Sequence, residues 1–319
     1  MLSYIETMTP PIKVFFPSFQ LQICGELFVP EPGSPNRKGA AVVISHPLTG
    51  VKEQTSTTYA KMLANAGFFS LTFDAGYQGE SSGEPRGLED PHQRVEDIKA
   101  AVSYLTALSG RIDPERIGLL GICASGGYAS YATQSDSRIK CLATVSAACV
   151  GRMTRHGSVH EEHAARENPQ AIATALEAAA QARLMAAENP TAKLEAPMMF
   201  ETDPAKAANN PDSFFRDAAA YYGTRRGRHE RSTQRVPPQS YDLMVSYDSF
   251  NLQHLIAPRP LLMIAGSEAQ TLHYSRTAIG IARGIKVLFI VPGKNHFDLY
   301  DSLRETAPKL MDFFISGLE

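Results

Sequence analysis

The chain has 319 residues, of which 43% are hydrophobic, and its formal net charge is −2. This length allows a full core, and the near-neutral charge gives no reason to expect nucleic acid or an anionic membrane as a partner. No stretch approaches the roughly 18 consecutive apolar residues of a membrane span, and no signal peptide is evident, so we expect a cytoplasmic protein with no membrane partner. The oligomeric state stays open.

The first 150 residues alternate between predicted strands and helices. Residues 14–29 contain two β-rich runs interrupted by Pro17, which indicates an antiparallel pair at a sheet edge because proline cannot donate to a ladder. Between the later strands, apolar residues recur at helical spacing, as in Val95, Ile98 and Val102. Short apolar runs typical of strands buried on both faces stand at residues 40–45, 68–73, 117–120 and 139–145.

The alternation stops after Val150 and resumes near residue 256. The intervening part has no convincing buried strand and contains an Ala- and Met-rich helical segment at 171–187. Further strands are predicted at 261–265 and 286–291. A C-terminal helix follows, kinked or restarted at Pro308.

This arrangement predicts an α/β fold with a mostly parallel central sheet and helices on both faces. Residues 1–150 and 256–319 form the predicted core. Residues 151–255 form a predicted helical cap over the carboxyl ends of the strands, where ligands bind in open α/β sheets.

A candidate nucleophile lies where a predicted strand meets a predicted helix, in Gly-Ile-Cys-Ala-Ser-Gly-Gly at residues 121–127. A nucleophile flanked by small residues at such a junction is typical of a nucleophile elbow. Either Cys123 or Ser125 could stand at the apex, and we favour Cys123 because Gly121 ends the strand directly. The dipole of the following helix would favour the thiolate and lower the pKa of this cysteine.

The other cysteines, Cys24, Cys141 and Cys149, are expected to be buried hydrophobic residues, and no paired spacing indicates a disulfide or zinc site. No cofactor or metal is expected. The histidines of the cap resemble a ligand set but do not form an HExxH site: His156, His160 and His163.

His296 is the predicted general base because it lies on a polar loop directly after the last core strand. An acid that orients it should follow the strand at 261–265, which makes Glu268 the leading candidate. Gln270 stands where an aspartate would fit equally well, and another carboxylate such as Asp298 or Asp301 stays open. A thiolate–imidazolium pair would need a third member less than a serine–histidine pair does.

An acyl-transfer site also needs donors for the oxyanion. The backbone N–H of Ala124, which follows the nucleophile, is one candidate. The loop after the strand at 40–45 should supply the other, and Leu48 is its nearest usable donor because Pro47 has no N–H. His46 is expected to shape this loop and to be a candidate substrate contact.

These motifs resemble the α/β-hydrolases. More narrowly, they resemble the dienelactone-hydrolase-like branch that includes polyketide transferases and thiohydrolases of secondary metabolism. The resemblance is carried by the elbow, by His46-Pro47, by residues 73–83, by residues 218–227 and by Pro292-Gly293-x-x-His296-x-Asp298-Leu299-Tyr300-Asp301. It covers nearly the whole chain, although no aspartate stands where the broader superfamily usually has its acid. Within the cap, Tyr221, Tyr222 and Met185 are further candidate substrate contacts.

A cysteine nucleophile favours thioester substrates because attack on a thioester gives another thioester, nearly without change in energy. We therefore predict a thiohydrolase or acyltransferase that acts on an acyl thioester. A polyketide bound to an acyl carrier protein is the substrate that we expect, and the basic residues 225–231 are a candidate contact for that carrier. Two alternatives are a lactone or carboxylic ester hydrolase of dienelactone-hydrolase type and a non-catalytic binding or cyclisation protein of this fold.

Overall fold

The computed structural model describes residues 9–108, 110–189 and 195–319. These residues form an eight-stranded sheet in the order β1-β2-β4-β3-β5-β6-β7-β8. The β1–β2 and β2–β4 pairs are antiparallel, and all other neighbours are parallel. The strands are β1 Ile12–Ser18, β2 Leu21–Phe28, β3 Ala41–Ser45, β4 Phe69–Phe73, β5 Ile117–Ile122, β6 Cys141–Val145, β7 Leu261–Gly266 and β8 Lys286–Val291.

Helices cover both faces of the sheet, and successive strand residues point to opposite faces. On β3, Val43 packs in the core cluster that includes α2, α3 and α9, whereas Val42 and Ile44 pack in the cluster that includes α1 and α10. The helices are α1 Thr55–Asn65, α2 Pro91–Ala107, α3 Ala124–Ser135, α4 Val150–His156, α5 Pro169–Glu188, α6 Pro204–Ala207, α7 Ser213–Tyr222, α8 Ser240–Val245, α9 Leu272–Ile281 and α10 Leu303–Leu318.

The fold class predicted from the sequence is confirmed. Pro17 lies within β1, which is an edge strand, and α10 runs through Pro308 as one helix. Between β6 and β7 the described residues contribute α4 to α8 and no strand of the sheet. The boundaries of the cap at residues 151 and 255 remain a prediction. None of the described helices is both long and apolar enough to cross a membrane.

A buried cluster of charges ties the loop after β3 to the rest of the molecule. The ammonium of Lys52 is fully buried and lies 2.6 Å from both Glu53 and Glu80 and 2.9 Å from Asp74. Burial alone would lower the pKa of Lys52, but these carboxylates raise it above its ordinary value. Arg231, from the segment between β6 and β7, also pairs with Glu53. Among the described residues, the carboxylates close enough to share a metal ion are these three, and they already surround an ammonium.

We expect Lys52→Met to lower the free energy of unfolding by about 3–5 kcal/mol, because it leaves the buried Asp74 carboxylate without its cation. Lys140→Met is the matched control, since Lys140 pairs with the exposed Glu115 at the surface and such pairs contribute about 0–1 kcal/mol. Chemical denaturation of both variants measures the difference. Equally small losses would contradict a structural role for the buried cluster.

Candidate active site

Cys123 stands at a sharp turn between β5 and α3, with φ 59° and ψ −125°. L-residues rarely adopt this conformation, so the surroundings must enforce it. Gly121 is required for the close approach of the chain, because a Cβ there would lie 2.1 Å from the carbonyl oxygen of Ser125. The apex of the elbow is therefore Cys123. Ser125 lies within α3, fully buried, and its hydroxyl is 2.8 Å from that of Ser45.

The sulfur of Cys123 lies beside three polar groups that favour its thiolate form. These are the backbone N–H groups of Ala124 and Leu48 and the hydroxyl of Tyr300. The structure thus brings both of the predicted oxyanion donors to the thiol. Cys123 is partly exposed, whereas Cys24, Cys141 and Cys149 are buried, as the sequence predicted.

The imidazole of His296 is fully buried and held at both nitrogens. Its Nδ1 lies 2.6 Å from Thr271 Oγ1, and its Nε2 lies 2.9 Å from the Tyr300 hydroxyl. Tyr300 therefore stands between the thiol and the imidazole. Both side chains belong to the described part of the chain, and they share no direct hydrogen bond.

The residue that orients His296 is Thr271 rather than Glu268. Glu268 is exposed, and its carboxylate accepts from Ser267 at 3.2 Å. Glu268 lies at the surface because the chain turns outward directly after β7. Thr271, at the start of α9, is the residue that contacts the buried imidazole.

The alternative acids are engaged elsewhere. Asp298 accepts from the backbone N–H of Asn295 at 3.0 Å, and Asp301 pairs with Arg226 at 2.8 Å. Gln270 donates to Ser213 at 2.7 Å. The imidazole of His296 therefore has a hydroxyl, not a carboxylate, at its Nδ1.

The pKa shifts of both predicted catalytic groups favour their neutral forms, contrary to the expected thiolate–imidazolium pair. Burial raises the pKa of the Cys123 thiol, and this effect exceeds the opposing hydrogen bonds from Tyr300, Ala124 and Leu48. Burial also lowers the pKa of His296 to about 3. The sequence argument from the helix dipole underestimated desolvation, which disfavours each charged form.

A second buried network, behind the elbow, holds the loop that carries Leu48. The guanidinium of Arg94 donates to the carbonyl oxygen of His46 at 2.6 Å and to the hydroxyl of Ser125 at 2.9 Å. The fully buried Glu89 lies 3.4 Å from Arg94. His46 itself is fully buried, and its Nε2 accepts from the backbone N–H of Ala75 at 3.1 Å. His46 therefore shapes the loop, as expected, but cannot contact substrate.

The same loop is fixed from the side of the cap. Thr49 has φ 61°, and its hydroxyl donates to Gln234 at 2.5 Å. The hydroxyl of Tyr222 interacts with Thr49 and Tyr300, so Tyr222 belongs to the site. Tyr221 is buried one layer away and packs edge-on against the ring of Tyr300, with centroids 5.0 Å apart.

A cavity of about 640 Å³ begins at Leu48 and extends between α4, α5 and α8. Its walls are mainly apolar and include Met153, Met199 and a row of small residues on α5. Met185, predicted to contact substrate, instead lies on the exposed face of α5, whereas several small residues of the same helix face the cavity. The small residues on α5 are Ala171, Thr174, Ala175 and Ala178.

The sheet order, the strained elbow and the histidine on the loop after β8 are those of the α/β-hydrolase fold. The chain belongs to the dienelactone hydrolase family: the family model matches residues 27–177. The uncharacterized protein YcjY of Escherichia coli K12 is 36% identical over 298 residues, which cover 92% of this chain and 94% of YcjY.

Two further proteins are similar to all or part of this chain. The crystal structure of the hypothetical protein PA2218 from Pseudomonas aeruginosa superposes with a TM-score of 0.84 at 31% identity, covering 100% of this chain and 99% of that chain. The thiohydrolase aneE of Aspergillus aculeatus is 36% identical over 125 residues, which cover 39% of this chain and 37% of aneE.

The sequence analysis missed Thr271 and Tyr300 as site residues. Tyr300 follows His296 by four residues on a short helical turn, a spacing that can return a side chain to the same face. Thr271 offered no comparable signal, because a search for an acid passes over a hydroxyl. Arg94 was hidden within the predicted helix α2, where arginine is expected to be exposed.

We expect iodoacetamide to modify Cys123 before the other three cysteines of the folded protein, since only Cys123 is partly exposed. Because its pKa is raised, the rate should be low at pH 7 and should still be rising above pH 9. Intact mass and peptide mapping between pH 6 and 10 measure this, with the urea-unfolded chain as the control of ordinary thiol pKa. A plateau below pH 7 would show a stabilised thiolate instead.

Proposed function

We propose that this protein is a thiohydrolase or acyltransferase that acts on acyl thioesters through a covalent acyl-enzyme on Cys123. One observation carries the proposal: a strained, partly exposed thiol meets two backbone N–H donors and is linked through Tyr300 to a neutral imidazole. These are the parts that acyl transfer requires, namely a nucleophile, a proton acceptor and donors for an oxyanion.

In the first step the thiol proton passes toward His296 while the sulfur attacks the carbonyl carbon. The carbonyl π electrons move to the oxygen, which the N–H groups of Leu48 and Ala124 stabilise. Collapse of the tetrahedral intermediate breaks the bond to the leaving thiol, which takes the proton from His296. Water or an alcohol then attacks the acyl-enzyme by the reverse sequence, and Cys123 is released.

Sulfur chemistry supports thioesters as the substrate class. Exchange of one thioester for another is nearly isoenergetic, whereas a cysteine attacks an unactivated ester or amide uphill. The thiohydrolase aneE, a relative over part of the chain, is consistent with this choice. The apolar cavity that begins at Leu48 supports an apolar acyl group, because a substrate with its oxygen at the Leu48 N–H can extend its chain there.

A polyketide on an acyl carrier protein is the particular substrate that we propose within this class. Arg225 and Arg228 are exposed at the cap and could contact an acidic carrier. The other two arginines of this basic run are engaged internally, Arg226 with Asp301 and Arg231 with Glu53. Hydrolysis is the fate that we favour for the acyl-enzyme.

A lactone or carboxylic ester hydrolase is the second candidate, and the match to the dienelactone hydrolase family favours it. The two candidates share the nucleophile and the oxyanion donors but differ in the leaving group. An activated lactone opens to an alkoxide or enolate, whereas a thioester releases a thiolate.

We expect acyl thioesters to add one acyl group to the wild-type protein, visible by intact mass. The adduct should be absent in Cys123→Ala and persist in Ser125→Ala, which keeps the elbow but removes the alternative nucleophile. The panel contains N-acetylcysteamine and carrier-bound thioesters, matched p-nitrophenyl esters and a lactone.

Adducts from thioesters in preference to matched esters support the first candidate, and the reverse preference supports the second. Hydrolysis that continues in Cys123→Ala, or no turnover of any member of the panel, contradicts a cysteinyl acyl-enzyme.

The length of the accepted acyl chain should depend on the α5 wall of the cavity. Ala175 faces the cavity, so Ala175→Leu fills part of it. We expect acylation by long-chain thioesters to fall by about tenfold relative to short-chain ones, since overpacking of 1–3 kcal/mol corresponds to about that factor. Ala173→Leu, on the exposed face of the same helix, is the control. A uniform loss over all chain lengths would place the acyl group elsewhere.

A further inference from the structure

The hydroxyl of Tyr300 occupies the position between nucleophile and base. It lies 2.9 Å from Nε2 of His296 and interacts with the thiol of Cys123. Because the thiol and the imidazole share no direct hydrogen bond among the described residues, the phenol is the link between them. A proton that leaves Cys123 for His296 therefore meets the Tyr300 oxygen first.

The surroundings of Tyr300 hold this hydroxyl in place. Its ring is fully buried and packs against Tyr221, Phe297 and the imidazole, with centroids 5.0, 5.3 and 5.5 Å away. A phenylalanine would fill the same space equally well, so packing alone gives no reason for a hydroxyl here. The hydroxyl instead connects the two groups that the reaction uses.

The partner of the imidazole at Nδ1 is also unusual. Thr271 can accept a hydrogen bond from Nδ1, which leaves Nε2 free to accept from Tyr300. A hydroxyl at Nδ1 cannot stabilise a full imidazolium as a carboxylate does. A buried His296 in this setting is a weak base. If its protonation and the attack of the sulfur are concerted, the imidazole need not carry a full positive charge before the attack begins.

We propose that Tyr300 is a catalytic proton relay between Cys123 and His296. The S–H proton passes to the Tyr300 oxygen while the Tyr300 proton passes to Nε2 of His296, so the phenol stays neutral. The sulfur electron pair forms the bond to the carbonyl carbon. When the leaving thiol departs, it takes a proton from Tyr300, which recovers one from His296. The acyl step of this inference rests on the proposed function.

The test compares Tyr300→Phe with Tyr274→Phe. Tyr274 is also buried, and its hydroxyl has no hydrogen-bond partner among the described residues, so its loss controls for removal of a buried phenol. For Tyr300→Phe we expect the rate of acyl-adduct formation to fall by about 100-fold or more, the usual contribution of a positioned proton-transfer group. Tyr274→Phe should acylate at the wild-type rate, and thermal denaturation checks that both variants fold.

A double-mutant cycle distinguishes a relay from a structural role. If the proton travels through Tyr300 to His296, the double variant Tyr300→Phe, His296→Ala should acylate no more slowly than His296→Ala alone. Independent losses that multiply in the double variant would overturn the relay. Wild-type acylation rates in Tyr300→Phe would overturn it as well, because His296 would then reach the thiol directly.

Alkylation by iodoacetamide tests the link without any acyl substrate, so its result does not depend on the proposed function. Loss of the hydroxyl removes a donor to the thiolate. Between pH 7 and 9, Cys123 of Tyr300→Phe should react about tenfold more slowly, which corresponds to about one unit of pKa. An equal or faster rate would show that Tyr300 only shields the sulfur. If wild-type protein alkylates as expected but no thioester or ester acylates it, the proposed function fails separately.

Discussion

The positive φ of Cys123 is the constraint on which the site depends. It turns the thiol out of the line of β5 and toward the loop after β3 and toward Tyr300. The strain is maintained because Gly121 is fixed in the sheet and α3 is packed behind it, with no room for a Cβ at Gly121. Arg94 then fixes the opposing loop through the carbonyl of His46. The backbone, more than any side-chain pairing, brings the sulfur close to the N–H groups of Ala124 and Leu48.

The pKa shifts of Cys123 and His296 have a consequence for the proposed function. Burial raises the pKa of Cys123 and lowers that of His296, so the neutral form of each side chain is favoured. In the proposed reaction the thiolate would therefore form as it attacks, which is easiest at an electrophilic carbonyl with a good leaving group. Thioesters and activated lactones meet that requirement, whereas amides do not. Selectivity among acyl compounds then follows from the site's own electrostatics as well as from the shape of the cavity.

Much of the fold was predictable because the apolar runs are short and regular, and each of the predicted strands coincides with one in the sheet. The elbow was also predictable, because the small residues around Cys123 form a recognisable sequence motif. The partner of His296 was not predictable in this way. Glu268 has the expected residue type and chain position, yet the turn after β7 places it at the surface, and Thr271 instead contacts the imidazole. The pKa shifts could not be predicted either, because desolvation depends on what covers a group. Only the folded chain shows that the rings of Phe214, Phe297 and Tyr300 pack against His296.

Residues of the segment between β6 and β7 make several contacts with the loop after β3. Gln234 bonds to the strained Thr49, Tyr222 interacts with the same hydroxyl, and Arg231 pairs with Glu53 beside Lys52. Leu48 directly precedes Thr49 in the chain. A displacement of Gln234 or Tyr222 should therefore also change the position of the Leu48 N–H. Under the proposed function, an acyl chain in the cavity would contact both Leu48 and the helices between β6 and β7. Its fit would then align the Leu48 N–H and exclude water from the proposed acyl-enzyme together, so that hydrolysis or transfer would follow from how completely the chain fills the cavity.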